Sequence, residues 1–175
     1  MGAALVAGLT WVVPGVAQTR QEAAFADFNT RIAAYLDITK GMMAGLPPLK
    51  RTDDPAEIAS REVAFGNAIR AGRARARPGD ILTTEIAHVF RGIVKGDFRQ
   101  RHVHERTLML DEVPHFHPKV NQTYPSEWPL ATFPPSLLAV LPALPDGLEY
   151  RLLRDALILR DARANVIVDF ILDVF

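Results

Sequence analysis

Residues 149–171 read EYRLLRDALILRDARANVIVDFI. Three short runs of leucine, isoleucine, valine and aromatic residues are separated there by polar residues that suit turns, which is typical of β-strands joined by tight connections. The pattern predicts an antiparallel meander with strands at 149–153, 156–160 and 165–171. Three strands cannot stand alone in water, so the rest of the chain must supply helices that cover the sheet.

Apolar residues recur at helical spacing in three segments upstream of these strands. The spacing predicts helices over residues 20–39, from Asp54 to Gly72, and over roughly 81–96. Asp54 and Pro55 form a helix-start signal, because an aspartate caps free N–H groups and proline suits the first helical position. The N-terminal part, 20–98, is therefore predicted to be a three-helix segment.

The middle of the chain is rich in proline. Eight of the 13 prolines lie between Pro114 and Pro145. Because proline lacks a backbone donor and fixes φ, we interpret residues 99–147 as an extended connector, interrupted by a short helix at 136–141. The predicted fold is α+β: a single domain over residues 18–175 with three helices, the proline-rich connector and a small C-terminal antiparallel β-meander (148–175).

Composition limits the function classes. The chain has 175 residues, a 49% apolar fraction, zero formal net charge and no cysteine. This length fits one domain, and the apolar fraction argues against disorder. The absence of cysteine excludes disulfides, thiolate metal sites and a cysteine nucleophile. A neutral chain is not typical of a general nucleic-acid-binding protein, so we expect no nucleic-acid partner.

The N-terminus has the layout of a secretory signal peptide. Residues 2–13 are apolar and uncharged, and a polar run begins at Gln18. Gly15 and Ala17 are small residues at positions −3 and −1 of a cleavage site, which predicts a signal peptide over residues 1–17, although no basic residue precedes the apolar run. No later segment is apolar enough to span a membrane. Export without cysteine favours a bacterial periplasm or exterior, since small secreted eukaryotic domains tend to use disulfides.

The C-terminal third carries a resemblance. Its parts are VNQTYP at 120–125, FPPSLLAVLPALP at 133–145, EYR at 149–151 and LILRDARANVIVDFI at 157–171. Together, residues 120–171 resemble the C-terminal part of small exported bacterial proteins of unassigned function. The resemblance implies export and a shared fold, and it carries over no catalytic residue.

Four of the five histidines lie within HVHERTLMLDEVPHFH at 102–117. Imidazole is a ligand for zinc and copper, so the cluster predicts a metal site made by His102, His104, His115 and His117. In a regular hairpin the two pairs would lie about 13 Å apart, given ~3.3 Å per residue, so one shared ion needs a looped connection or a subunit contact. The alternative is an exposed loop whose histidines bind no metal.

A second cluster consists of arginines at the end of the second predicted helix. Arg70 is followed by Arg73, Arg75 and Arg77. Guanidinium groups bind phosphate and carboxylate, so the last three predict an anion-binding site. The alternative is a solvated helix end, where basic residues interact favourably with the helix dipole.

No catalytic motif stands out. The chain lacks G-x-S-x-G, a phosphate-binding loop, G-x-G-x-x-G and H-E-x-x-H. We therefore predict an exported, non-enzymatic structural or interaction domain, with a protein partner at the 114–145 surface. Tyr124, Trp128 and Phe133 are its candidate docking aromatics, or they pack over the helices instead. The alternatives are a periplasmic metal-binding protein or metalloenzyme that uses the histidine cluster, and an anion-binding module that uses the arginines.

Overall fold

The computed structural model describes residues 14–48, 53–128 and 130–175. Within these residues the chain forms helices in its N-terminal part and strands at its C-terminus, which confirms the predicted α+β class. The elements in chain order are α1 (Pro14–Ala44), α2 (Pro55–Gly72), α3 (Thr84–Gln100), α4 (Val103–Glu112), α5 (Pro135–Leu138), β1 (Leu148–Leu152), β2 (Ala156–Asp161) and β3 (Val166–Leu172).

The three strands form the predicted antiparallel meander, in the order β1-β2-β3. All six residues of the central strand β2 are buried, whereas buried and half-buried residues alternate along β1. The continuous apolar run at 156–159 suits a strand that is covered on both faces. The pairing of β2 with β3 shifts between Leu159 and Arg160, which marks a bulge.

One face of the sheet packs on α1 and α3. Phe28 of α1 and Phe90 of α3 are both fully buried, and their ring centroids lie 5.2 Å apart. Tyr150 of β1 joins them, with its ring 6.1 Å from that of Phe90. Leu157 and Leu159 of β2 belong to the same apolar core. The helical spacing of apolar residues therefore determines which faces of α1 and α3 cover this side of the sheet.

The proline-rich segment covers the opposite face. Tyr124 is buried there against Ile158 and Ile167, with Phe116 and Trp128 packed at the edge of the cluster. Its backbone also bonds to the sheet, because Thr123 forms an isolated bridge to Val166. Tyr124, Phe116 and Trp128 thus pack on this face of the sheet, whereas Phe133 belongs to the core that includes α1 and α3.

Helix α2 forms a third apolar cluster at the end of the sheet. Phe65 and Ile69 pack on Ala164 and Val166. Asp54 caps the helix as predicted, since its side chain accepts a hydrogen bond from the N–H of Ala56 at 2.9 Å. Ile58, near the start of the helix, is 50% exposed and lies outside this cluster.

The prediction of an extended connector from residue 99 onwards is wrong in its first part. Residues 99 and 100 still belong to α3, and Val103–Glu112 forms helix α4. The first proline of the dense stretch is Pro114, so nothing before it prevents helical hydrogen bonding. The short helix expected at 136–141 is also shorter, Pro135–Leu138.

A buried aspartate ties the loop before α3 to the sheet. Asp169 of β3 is fully buried, and its carboxylate accepts hydrogen bonds from the backbone N–H groups of Gly79, Ile81 and Leu82 at 2.8–3.0 Å. It also accepts from the N–H of Phe170. These bonds fix the entry into α3, and they give the buried carboxylate oxygens the donors that water no longer supplies.

The predicted signal peptide lies mostly outside the described residues. Residues 1–13 are not described, and residues 14–17 belong to α1. Over the part of the chain that is described, no helix combines the length and apolar character that a membrane crossing requires.

We predict that Asp169→Asn lowers the free energy of unfolding by about 2–3 kcal/mol, because an amide nitrogen replaces an oxygen that accepts backbone N–H bonds. Urea unfolding followed by circular dichroism measures the change. Asp173→Asn is the matched control, since Asp173 is exposed at positive φ, which asparagine tolerates. Equal stability of the two variants would contradict the anchoring role.

Candidate docking groove

The four predicted metal ligands lie at the two ends of α4. His102 is the N-cap residue of this helix and His104 lies in its first turn, while His115 and His117 follow the helix. All four side chains are exposed. Residues two apart at a helix start do not face each other as they would on a strand.

Among the described residues, no group of three or more histidine and acidic side chains is arranged to hold a metal ion. The zinc or copper site at His102, His104, His115 and His117 stays a prediction. Metal content of the purified protein, beside a His102→Ala/His104→Ala variant, tests it directly.

Of the three predicted anion-binding arginines, Arg73 and Arg75 line one open surface cleft, and Arg77 is not among its lining residues. Arg73 donates to Asn121 Oδ1 at 3.1 Å and to the carbonyl of Val168 at 3.2 Å, and its guanidinium lies 5.1 Å from the centre of the Tyr35 ring. Arg73 therefore links the end of α2 to the connector and the sheet. Arg75 and Arg77 are exposed on the loop that follows. Anion binding by the three arginines stays a prediction.

A second buried carboxylate, that of Asp161, is hydrogen-bonded through both of its oxygens. Asp161 Oδ2 accepts hydrogen bonds from the hydroxyl of Tyr35 at 3.0 Å and from Arg163, whose Nε and backbone N–H also bond to Oδ1. Burial, and then the Asp161 charge, raises the pKa of Tyr35 above its ordinary range. The hydrogen bond to Asp161 is the main cause that raises the pKa of Arg163. This cluster joins α1 to β2 and leaves no carboxylate oxygen free of a donor.

A groove of about 470 Å³ lies between the proline-rich segment and strand β1. The sheet side is formed by Leu148, Glu149, Tyr150 and Arg151. The other side is mostly apolar and consists of Leu130, Thr132, Phe133, Leu138, Pro142, Ala143 and Leu144. We call this feature the β1 groove. Its volume is within the range of ligand-binding clefts.

The apolar wall of the β1 groove contains exposed leucines. Leu130 and Leu138 expose 50% and 55% of their surface, and Val140 is similarly exposed nearby. The predicted docking aromatics are less exposed than these aliphatic residues: Tyr124 and Phe133 are buried, and Trp128 is half-buried. The exposed apolar surface of the 114–145 segment is therefore aliphatic.

A charged triad borders the β1 groove. Glu149 lies between Arg151 and Arg160, with ion pairs to both. Burial opposes the ionisation of Glu149, but hydrogen bonds from the two guanidiniums outweigh it and hold the pKa below its ordinary 4.5. Arg160 also lies over the Tyr124 ring. The triad contains two positive charges and one negative charge.

Arg151 is held beside the groove with one of its three guanidinium nitrogens unpaired. Its Nη1 donates to the carbonyl of Ala131 at 2.9 Å and its Nη2 to Glu149 at 2.6 Å. The third nitrogen, Nε, is buried and has no hydrogen-bond partner within the described part of the chain. An unpaired buried donor costs about 1–3 kcal/mol.

The predicted docking segment, residues 114–145, forms only one wall of this groove. Its apolar wall lies in the 114–145 segment, while its other wall is strand β1. Glu149 and Arg151 alternate with buried residues along a predicted strand, which signals a polar face, but no pattern in sequence indicates that Arg160 would join them.

Comparisons with known proteins do not identify this chain. No protein-family model matches it, and neither the curated proteins nor the solved structures give a match. The resemblance of residues 120–171 to small exported bacterial proteins therefore stays a prediction.

We predict that Glu149→Gln lowers stability by about 1–3 kcal/mol near pH 7, because it leaves two guanidiniums without a counter-charge. The pKa of Glu149 is lowered in the folded state, so its contribution is present above the ordinary pKa of 4.5 and is lost as the pH falls further. The difference from wild type should thus shrink in acid. Urea unfolding at several pH values measures it, with exposed Glu127→Gln as control. A difference independent of pH would contradict this assignment.

Proposed function

We propose that this protein is an exported, non-enzymatic interaction domain, and that its partner is a protein that docks in the β1 groove. The observation that carries the proposal is the apolar wall of the groove, where Leu130 and Leu138 are half exposed beside a strand edge. Exposed apolar surface that lines a concave site is typical of binding sites.

The polar residues of the groove support binding rather than catalysis. Its ionisable side chains are Glu149 and Arg151, which are paired with each other. The fully buried carboxylates elsewhere, Asp161 and Asp169, accept hydrogen bonds from the protein itself. A general acid or base must reach a substrate to exchange a proton with it. These groups instead form hydrogen bonds and ion pairs within the protein.

Export is the second part of the proposal. Its support is the apolar run at residues 2–13, the small residues Gly15 and Ala17, and the absence of cysteine. We place the mature protein in a bacterial periplasm or outside the cell.

We predict that the chain expressed in a Gram-negative host is recovered from the periplasm with an N-terminus at Gln18. Mass spectrometry of the periplasmic fraction measures the cleavage. Ala17→Glu should retain residues 1–17, because signal peptidase needs a small residue at position −1. Full-length wild-type protein confined to the cytoplasm would contradict export.

We predict that peptides selected from a random displayed library on the wild-type protein bind about tenfold or more weakly to Leu138→Glu. The charge removes the gain from burying one leucine, which is about 1.5–3 kcal/mol. Titration calorimetry of the synthetic peptides measures the affinity.

Ile58→Glu on α2 is the matched control, since Ile58 is 50% exposed and lies outside the groove. Its affinity should stay within about twofold of wild type. Failure to select any peptide, or equal loss in both variants, would overturn docking in the β1 groove.

A further inference from the structure

Strand β1 has one edge that no other strand covers. The sheet order is β1-β2-β3, so β1 pairs on one side only. At the two ends of the β1–β2 ladder, the N–H of Ala162 donates to Gly147 and the N–H of Leu153 donates to Ala156. Because antiparallel pairing alternates, Glu149 and Arg151 direct their backbone groups to β2. The backbone groups of Leu148, Tyr150 and Leu152 point away from it.

The proline-rich segment lies beside this edge without pairing with it. The N–H of Leu148 donates to Pro145, and beyond the strand the N–H of Arg154 donates to Pro114. Between these points, no described residue forms a hydrogen bond with the outward N–H or C=O groups of Tyr150 and Leu152. Unpaired edge groups of this kind are a template for an added strand.

The shape of the β1 groove favours a single extended segment. Phe133 packs on Tyr150 with ring centroids 5.7 Å apart, and Leu144 packs on the same core. The edge is therefore recessed behind the wall of the groove. Another copy of this chain has its own β1 edge recessed in the same way, so two such edges cannot approach each other as closely as paired strands, which lie about 4.8 Å apart.

The chemistry on the two sides of the edge differs. Tyr150 and Phe133 make one side apolar, whereas Glu149 and Arg151 lie on the other face because side chains alternate along a strand. The triad with Arg160 has an excess positive charge, since two arginines pair with one glutamate. An acidic residue of a bound segment balances this charge.

We propose that an extended segment of the partner protein, in which apolar and acidic residues alternate, adds to the edge of β1 as a fourth strand. This inference rests on docking in the β1 groove, as proposed above. It assigns main-chain hydrogen bonds to Tyr150 and Leu152, and it assigns specificity to the apolar wall and to Arg151.

Amide hydrogen exchange followed by NMR tests the inference, with the selected library peptides as probes. In the free protein, the amides of Tyr150 and Leu152 should exchange faster than those of Glu149 and Arg151, which donate to β2. Saturating peptide should slow the Tyr150 and Leu152 amides about tenfold or more, which is the effect of closing a new hydrogen bond worth about 1.4 kcal/mol.

A second measurement uses the backbone of the peptide. N-methylation at successive positions should abolish binding at every other residue and leave the residues between them unaffected, because only alternate N–H groups of an added strand face β1. The selected peptides should also contain an acidic residue whose replacement by its amide weakens binding to wild type and not to Arg151→Gln.

The outcomes separate the two proposals. Strand addition would be overturned, and docking left intact, by one combination of results. The peptides would bind Leu138→Glu more weakly, yet leave the Tyr150 and Leu152 amides unprotected, and the effect of N-methylation would not alternate along the peptide. Absence of any groove-dependent peptide would overturn both. Protection of these amides that rises with protein concentration, together with a dimer mass in light scattering, would assign the edge to a second copy and reject the partner segment.

Discussion

Strand β2 is buried along its whole length, so both faces of a three-stranded sheet have to be covered by the rest of the chain. This constraint organises the protein. Helices α1 and α3 cover one face through Phe28 and Phe90, and the proline-rich segment covers the other face through Tyr124. A sheet of three strands exposes too much apolar surface to exist without these two layers.

Buried polar contacts then fix the layers in one arrangement. Asp169 holds the loop before α3, Asp161 joins Tyr35 of α1 to the sheet, and Arg73 joins α2 to the connector. Apolar packing alone is not directional, whereas a buried carboxylate is stable only when donors surround it. Asp161, Asp169 and Arg73 thus hold the helices and the connector against the sheet.

The same constraint explains the β1 groove. The proline-rich segment bonds to the sheet near Thr123 and again near Arg154, but its described residues pass the middle of β1 without backbone-to-backbone hydrogen bonds. Proline lacks a donor and resists strand pairing, so such a segment covers an edge sterically and leaves its backbone groups unpaired. Cover by a connector instead of a fourth strand is therefore the origin of the proposed docking site.

The sequence by itself determined the local elements, because helix and strand formation depend on the spacing of apolar residues and on capping. The meander, the cap at Asp54 and the covering helices were predictable for this reason. Helix α4 was missed because its apolar pattern is weak and the prolines follow it. Only the tertiary structure decided that the four histidines lie at the two ends of α4, that Glu149 pairs with Arg151 and Arg160, and that one edge of β1 stays without a partner strand. Those properties depend on contacts between residues far apart in the chain, and no local pattern records them.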